Sequence, residues 1–475
     1  MAGLAAALSV LALALPTTAS AFGKTDQPIP MSDGVRLETT YYVPDGAPPT
    51  GGWPAVMLLH GIGGSRNAPS PLGGSINAIA ETQLVPQGYA ALTFDARGHG
   101  QSQGLVSIDG PREIQDVREL FNWLAEQPGI NAQRIGALGY SYGGGAILRA
   151  TAEGVPFAAI EPAITWTDLY SALLPQNLAR TGIVLGFWQS IAARAAPELE
   201  PLVNDALAGR NLGAVHAFSD QRSTRALLGS IRAPTFLMQG RRDFAFDVDQ
   251  ALAAYSRLGA PKRLYLADFG HPPAANPAAE SGHVLPVARR WFDRFLKGLP
   301  NGIDTEPPVE IAPDPWTGRT YSYRSLPARK TLRLAFPGRK EIGSTAKVVR
   351  TLPRRKERLE TFGAPVLRVA LSSPNGWPHV VAVLSALTPQ GREIVVSSGG
   401  ARVRLGSKPK EVSIRLISQV TNVPPRSRLR LTVAATSTAQ SPGNLLYLSG
   451  VPRSARLVVG RARLTLPILA KPVSG

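Results

Sequence analysis

The stretch that most constrains this chain is 134–150, Arg-Ile-Gly-Ala-Leu-Gly-Tyr-Ser-Tyr-Gly-Gly-Gly-Ala-Ile-Leu-Arg-Ala. Ile135 to Leu138 is a short apolar run that reads as a buried strand, and Gly143 to Ala152 is small, apolar and compatible with a helix. Between them lies Gly139-Tyr140-Ser141-Tyr142-Gly143, a G-x-S-x-G match in a strand–turn–helix context. A serine on so sharp a turn projects its oxygen above the sheet. The flanking glycines let neighbouring backbone pass close by, and the helix N-terminus offers a positive dipole to a developing anion. The spacing points to a nucleophile at Ser141, against the alternative of an ordinary turn serine.

Hydropathy sets this element in a series. Val35 to Val43, Trp53 to Leu59, Tyr89 to Phe94 and Phe157 to Ile160 read as strands, and Ser75 to Gln83 as a helix. Pro111 to Glu126 reads as an amphipathic helix, with Ile114, Val117, Leu120, Phe121 and Leu124 at helical spacing. Short apolar strands alternating with helices predict an α/β fold with a parallel sheet covered on both faces. The alternation breaks over about 165–231, which reads as mostly helical and predicts a lid over the carboxyl edge of the sheet. The sheet resumes at Thr235 to Gln239, followed by a helix at Val248 to Leu258, a strand at Lys262 to Leu266 and a closing helix at His283 to Lys297. Residues 301–320 are rich in proline and turn formers and read as a linker. Beyond them come short strands at Val366 to Ser372, His379 to Leu387, Glu393 to Ser398, Val412 to Ile417 and Leu429 to Ala434, the spacing of a β-sandwich. The expected organisation is an α/β unit over 22–300 and a β-sandwich domain over 301–475 with the linker at its N-terminal end.

Leu4 to Leu15 is an apolar core followed by Pro16 and Ala19-Ser20-Ala21, the pattern of a cleaved signal peptide over 1–21, although no Lys or Arg precedes it. The mature chain then begins near Phe22 and is secreted, or held in the cell envelope or periplasm. No later stretch is long and apolar enough to span a bilayer. With no cysteine among 475 residues, disulfides and thiolate metal sites are excluded. The expectation is a site without metal or cofactor.

The net charge of +18 is uneven: residues 1–300 carry 23 Lys+Arg and 24 Asp+Glu, whereas 301–475 carry 28 and 9. The basic residues are scattered and lack interleaved aromatics, which argues against nucleic acid. An anionic cell-envelope surface is the partner such a balance would attract, and a merely solvated surface is the alternative.

A serine hydroxyl needs a base to take its proton and a third group to orient that base. Asp243 and His271 follow two later strands and fall at strand ends on the edge where Ser141 emerges, which predicts the set Ser141, His271 and Asp243. Asp247 is expected to N-cap the next helix, which frees Asp243. His283 is the competing base; His216 and His379 read as structural or surface residues. Donors to a tetrahedral oxyanion are expected from the backbone N–H groups of Tyr142 and Ile62, the latter in the glycine-rich turn after Leu59. His60 reads as scaffold, Asp95 and Arg97 as pins for the loops at the sheet edge, and His99 as loop packing. Trp166 and Tyr170, in the lid, are candidates for the pocket wall, with packing in the lid's own core as the equal alternative, and Glu161 and Asp168 are candidates for a carboxylate that could grip a free amino terminus.

His60-Gly61, Asp95-Ala96-Arg97-Gly98-His99-Gly100-Gln101-Ser102, Gly139 to Gly144, Gly240-Arg241-Arg242-Asp243 and Gly270-His271 together resemble the α/β-hydrolase superfamily. The Ser141-Tyr142 pair, the helical lid and the trailing β-domain make the mature chain similar to the Xaa-Pro dipeptidyl-peptidase and cocaine-esterase-like group. Glu360 to Val366 resembles that group's entry into its β-domain. The resemblance implies a jelly-roll domain after the hydrolase unit and cleavage of esters, N-acyl bonds or Xaa-Pro dipeptides. The Pro-Tyr pair frequent in the group is replaced here by His60-Gly61-Ile62, and its tryptophan-containing segment before the histidine by Asp268-Phe269-Gly270. The expected function is a secreted serine hydrolase for a small ester, amide or short peptide. The alternative is a non-catalytic envelope-binding protein on the same fold.

Overall fold

The computed structural model describes residues 22–474; the export segment expected over 1–21 lies outside the described residues. Ten strands form the main sheet: β1 (Phe22–Pro30), β2 (Arg36–Pro44), β3 (Trp53–Leu59), β4 (Ala90–Phe94), β5 (Ile130–Tyr140), β6 (Ala159–Ala163), β7 (Thr235–Gly240), β8 (Lys262–Ala267), β9 (Val309–Ile311) and β10 (Tyr321–Tyr323). Their spatial order is β1-β2-β4-β3-β5-β6-β7-β8-β9-β10. The run from β4 to β9 is parallel, while β1, β2 and β10 pair antiparallel at the two ends. The central strands are mostly apolar runs because helices cover both their faces. On one face lie α2 (Pro111–Ala125), α3 (Tyr142–Ala152) and α8 (Val248–Arg257), packed through Val117, Leu120, Ile147 and Val248. On the other lie α1 (Ile76–Ile79) and α9 (Ala278–Phe295), packed through Ile79, Val284, Trp291 and Phe292.

Between β6 and β7 the chain forms the helical insert α4 (Leu169–Leu173), α5 (Thr181–Ile191), α6 (Leu199–Ala208) and α7 (Leu212–Asp220). Beyond β10, two antiparallel sheets face each other. One orders Arg329–Phe336, Arg456–Leu469, Val366–Ser372 and Lys410–Arg415; the other orders Val348–Arg354, Arg428–Ala434, His379–Leu387 and Glu393–Arg402. Phe336, Leu371, Trp377, Leu384, Leu431 and Leu464 fill the space between them.

Four elements depart from the sequence reading. β1 was not anticipated, because as an exposed edge strand it shows little apolar alternation. β6 begins at Ala159 rather than Phe157 and includes Glu161 and Pro162. α9 starts five residues before His283 and runs through Pro286. The stretch read as a linker contributes β9, which pairs in parallel with β8, and leads directly into β10.

The two units are bolted together beside β7. The buried Arg241 donates from Nε to the Val420 carbonyl at 2.9 Å, from Nη1 to the Ala312 carbonyl, and forms an ion pair with buried Glu360. Gln419 Nε2 donates to the Asp243 carbonyl at 2.8 Å, and the Ser418 N–H to Asp247 Oδ2 at 3.0 Å. The loop after β7 is therefore shaped by residues 71 to 179 positions downstream.

Candidate active site

Ser141 sits between β5 and α3 with φ 54° and ψ −116°, a conformation that L-residues seldom adopt. It is over-determined by its surroundings: its N–H donates to the Ala163 carbonyl at 2.8 Å, and its carbonyl accepts from Thr165 Oγ1 at 2.7 Å. Gly143 is required because a Cβ there would lie 2.5 Å from the Leu59 carbonyl oxygen, where the turn presses against the end of β3.

Ser141 Oγ lies 2.9 Å from His271 Nε2, and His271 Nδ1 lies 2.7 Å from Asp243 Oδ2. Asp243 is buried; its Oδ2 also accepts the His271 N–H at 3.0 Å, and its Oδ1 accepts the N–H groups of Ala245 and Phe246 at 2.8 and 2.9 Å. A carboxylate opposite Nδ1 places the imidazole proton there and leaves the Nε2 lone pair for the serine. The Phe246 ring meets the imidazole edge-on at 5.2 Å between centroids, and Phe187 meets it at 6.1 Å. The chain thus brings the three residues picked from sequence into one line. Asp247 does precede α8, but its side chain makes no cap bond; it accepts from Ser418 instead.

Tyr142 is the first residue of α3 and has no acceptor one turn earlier within the helix, while Ile62 lies in the 61–64 turn. Among the described residues neither N–H donates to a protein acceptor, and both residues border the same cavity as Ser141. Tyr142 is fixed from below. Its hydroxyl donates to Glu113 Oε2 at 2.6 Å, and Glu113 also accepts the N–H groups of Ser107 at 2.6 Å and Gly110 at 3.3 Å. Burial lifts the Glu113 carboxyl above its ordinary range. The sequence reading missed Glu113; its only signal was an acid in the first turn of a helix opened by Pro111.

The remaining histidines have other tasks. His60 donates from Nδ1 to the Gly61 carbonyl and accepts the Ala96 N–H at Nε2, and burial pushes its pKa down to about 4. His99 packs between His60 and Tyr142, and burial holds it down at about 3. Both are neutral scaffold. Asp95 pairs with Arg66 at 2.6 Å, and Arg97 with Asp116 at 2.7 Å and Asp33 at 2.8 Å, tying the edge loops together. His283 lies in α9, 3.9 Å from Glu310; His216 contacts Asp220, and His379 two backbone carbonyls of the β-domain.

Over Ser141 and under the insert opens a cavity bordered by Ile62, Trp166, Phe187, Trp188 and Phe246. Of the four residues proposed for the pocket, Trp166 alone borders it. Tyr170 instead packs on His216, with its hydroxyl donating to Asn177 at 2.8 Å. Asp168 N-caps α4 through the Ser171 N–H at 2.9 Å and pairs with Arg225 at 3.1 Å. Glu161 lies within β6 away from the cavity, fully buried with neither oxygen bonded. These three positions are corrected: the Tyr170 hydroxyl and the Asp168 carboxylate are held by other partners, and Glu161 is enclosed, unpartnered, in the sheet layer.

A mostly parallel sheet, a serine on the sharp turn after β5 and a helical insert over the carboxyl edge define an α/β-hydrolase fold. The chain belongs to the X-Pro dipeptidyl-peptidase family S15, whose family pattern matches residues 33–272. It is 24% identical over 255 residues to a Bacillus cereus protein named "Putative Xaa-Pro dipeptidyl-peptidase", a match covering 48% of this chain and 43% of the relative. A Streptomyces avermitilis protein of the same name is 26% identical over 270 residues, 50% of this chain and 39% of the relative. The matches therefore span less than half the length of these relatives. In three dimensions the chain is similar to a CocE/NonD family hydrolase from Staphylococcus aureus, with TM-score 0.73, 16% identity and 94% of each chain covered. An α-amino acid ester hydrolase aligns with TM-score 0.68 and 15% identity over 97% of this chain and all of the other. These likenesses establish a shared fold over both units.

Proposed function

We propose that the chain is a serine hydrolase that cleaves a carboxylic ester or amide through a covalent acyl-enzyme. The observation that carries this reading is the unbroken line from Ser141 Oγ to His271 Nε2 and from Nδ1 to Asp243. Ser141 Oγ attacks the carbonyl carbon while its proton passes to His271 Nε2, and Asp243 stabilises the resulting imidazolium. The oxyanion is received by the N–H groups of Tyr142 and Ile62, each worth on the order of 10²–10³ in turnover. The tetrahedral adduct collapses, and the leaving alcohol or amine takes the proton from Nε2. Water then attacks the acyl-serine with His271 as base, which releases the acid and restores the serine.

The test is Ser141→Ala, assayed on a p-nitrophenyl ester and an Xaa-Pro arylamide. The expected result is loss of hydrolysis with an unchanged melting temperature; wild-type turnover in the variant refutes the reading. A non-catalytic envelope-binding protein, the rival reading, would leave Ser141 unlabelled by a fluorophosphonate.

A second reading concerns the β-domain. On the sheet containing Arg456–Leu469, Arg463 stands directly opposite Arg368, both exposed, with exposed Arg461 two residues away. Like charges facing each other across strands cost stability, and an anionic surface would relieve that cost. We propose that this face binds an anionic cell-envelope surface, and that the chain is exported to reach it.

A further inference from the structure

We infer that the cavity beneath the helical insert is an acyl-chain site, and that the substrate is an uncharged ester whose acyl part is an extended hydrocarbon chain rather than an amino-terminal dipeptide. This inference rests on the proposal that Ser141 is the nucleophile. The cavity runs from Ser141 between α4, α5, α6 and α7, and its wall is hydrocarbon and aromatic, with Trp166, Leu173, Phe187, Trp188, Val203 and Phe246 as its main surfaces. Among the described residues, no group that borders it carries a charge at neutral pH. Two of the polar groups on the wall are already engaged: the Trp166 Nε1–H donates to the Arg222 carbonyl at 2.7 Å, and Ser219 Oγ donates to the Val215 carbonyl at 2.8 Å.

A dipeptidyl substrate enters with a free ammonium, and an ammonium buried without a counter-ion is strongly disfavoured. The acids close by do not supply one. Asp168 is committed to Arg225 and the α4 cap, and Glu113 to Tyr142 and two backbone N–H groups. Asp109 lies beside Trp166 against Gly145 and does not border the cavity, and its burial pushes the carboxyl well above its usual range, toward the neutral form. A wall of this kind rewards methylene groups instead. Each methylene taken from water into it contributes a factor of roughly four in binding. Because the chain stays in the same contacts from ground state to transition state, the gain falls on KM more than on kcat.

The experiment compares p-nitrophenyl acetate, butyrate, hexanoate and octanoate with Ala-Pro-p-nitroanilide on the full chain. The expected result is kcat/KM rising about fourfold per methylene, mostly through KM, with no turnover of the cationic arylamide. Val203→Phe, on the lid side of the cavity, should move the best chain length downward. A flat or falling series, or preference for Ala-Pro-p-nitroanilide, overturns the inference while leaving the Ser141 proposal standing. Catalysis is not needed for the second arm: methyl octanoate should quench Trp166 and Trp188 fluorescence in Ser141→Ala at far lower concentration than methyl acetate. Equal response to the two esters overturns the acyl-chain site on its own. Failure of a fluorophosphonate to label Ser141 would instead remove the nucleophile, and the binding arm would still decide the cavity.

Discussion

Glu161 offers a quantitative test of how the sheet is built. It lies on β6 in register with Leu138, on the strand face shared with Ala159 and Ala163, in the layer that packs beneath α9. Its carboxyl is fully buried, neither oxygen has a partner, and burial pushes its pKa well above the ordinary value of 4.5. The folded chain therefore holds a proton that the unfolded chain releases above pH 4.5. Stability changes with pH in proportion to the protons bound by the unfolded minus the folded state, a negative quantity here, so this group lowers stability as pH rises through that window. A single titrating group can change stability by at most about 1.4 kcal/mol per pH unit, and the loss here continues until the folded carboxyl itself ionises. Glu161→Gln keeps the shape and the unbonded polar atoms but cannot titrate. Urea unfolding of both proteins at pH 5, 6.5 and 8 isolates the ionisation, since other groups cancel in the difference. Variant and wild type should be close at pH 5 and the variant increasingly more stable by pH 8. A difference that does not change with pH would refute the assignment of a buried, neutral carboxyl.

Asp243→Asn removes the charge facing His271 Nδ1 and frees the ring to take the wrong tautomer; kcat should fall on the order of 10³–10⁴ with melting temperature little changed. A drop of less than tenfold would mean that Asp243 does not orient His271. Binding to vesicles carrying anionic lipid should weaken as salt shortens the screening length from about 10 Å at 0.1 M to 3 Å at 1 M, and further in the double variant Arg368→Glu, Arg463→Glu. Retention that ignores both salt and the substitutions would remove the electrostatic account of the β-domain.

What the sequence made legible follows physical rules. β3, β4, β7 and β8 lie under helices on both faces, so burial leaves short, mostly apolar runs that a single chain displays plainly. Ser141, Asp243 and His271 could be chosen because each ends a strand on one edge, a relation carried by order and not by neighbouring residues. β1 and β9 resisted reading, since an edge strand is half solvated and β9 borrows its pairing from β8. Composition does not separate pocket from lid core: Trp166 lines the cavity, whereas Tyr170 packs on His216. Glu113 stayed hidden because its partner hydroxyl, on Tyr142, is 29 positions away.

The clasp on Arg241 bears on how such a protein can be recombined. A single residue separates Arg241 from Asp243, and its anion, Glu360, is itself held by the N–H groups of Val473 and Ser474. Exchanging the trailing sandwich for one from another hydrolase would strand a buried cation, a penalty of about 3–5 kcal/mol, unless an equivalent acid and the 418–420 segment travelled with it. The two halves of this molecule are thus a matched set, inherited or engineered as a pair.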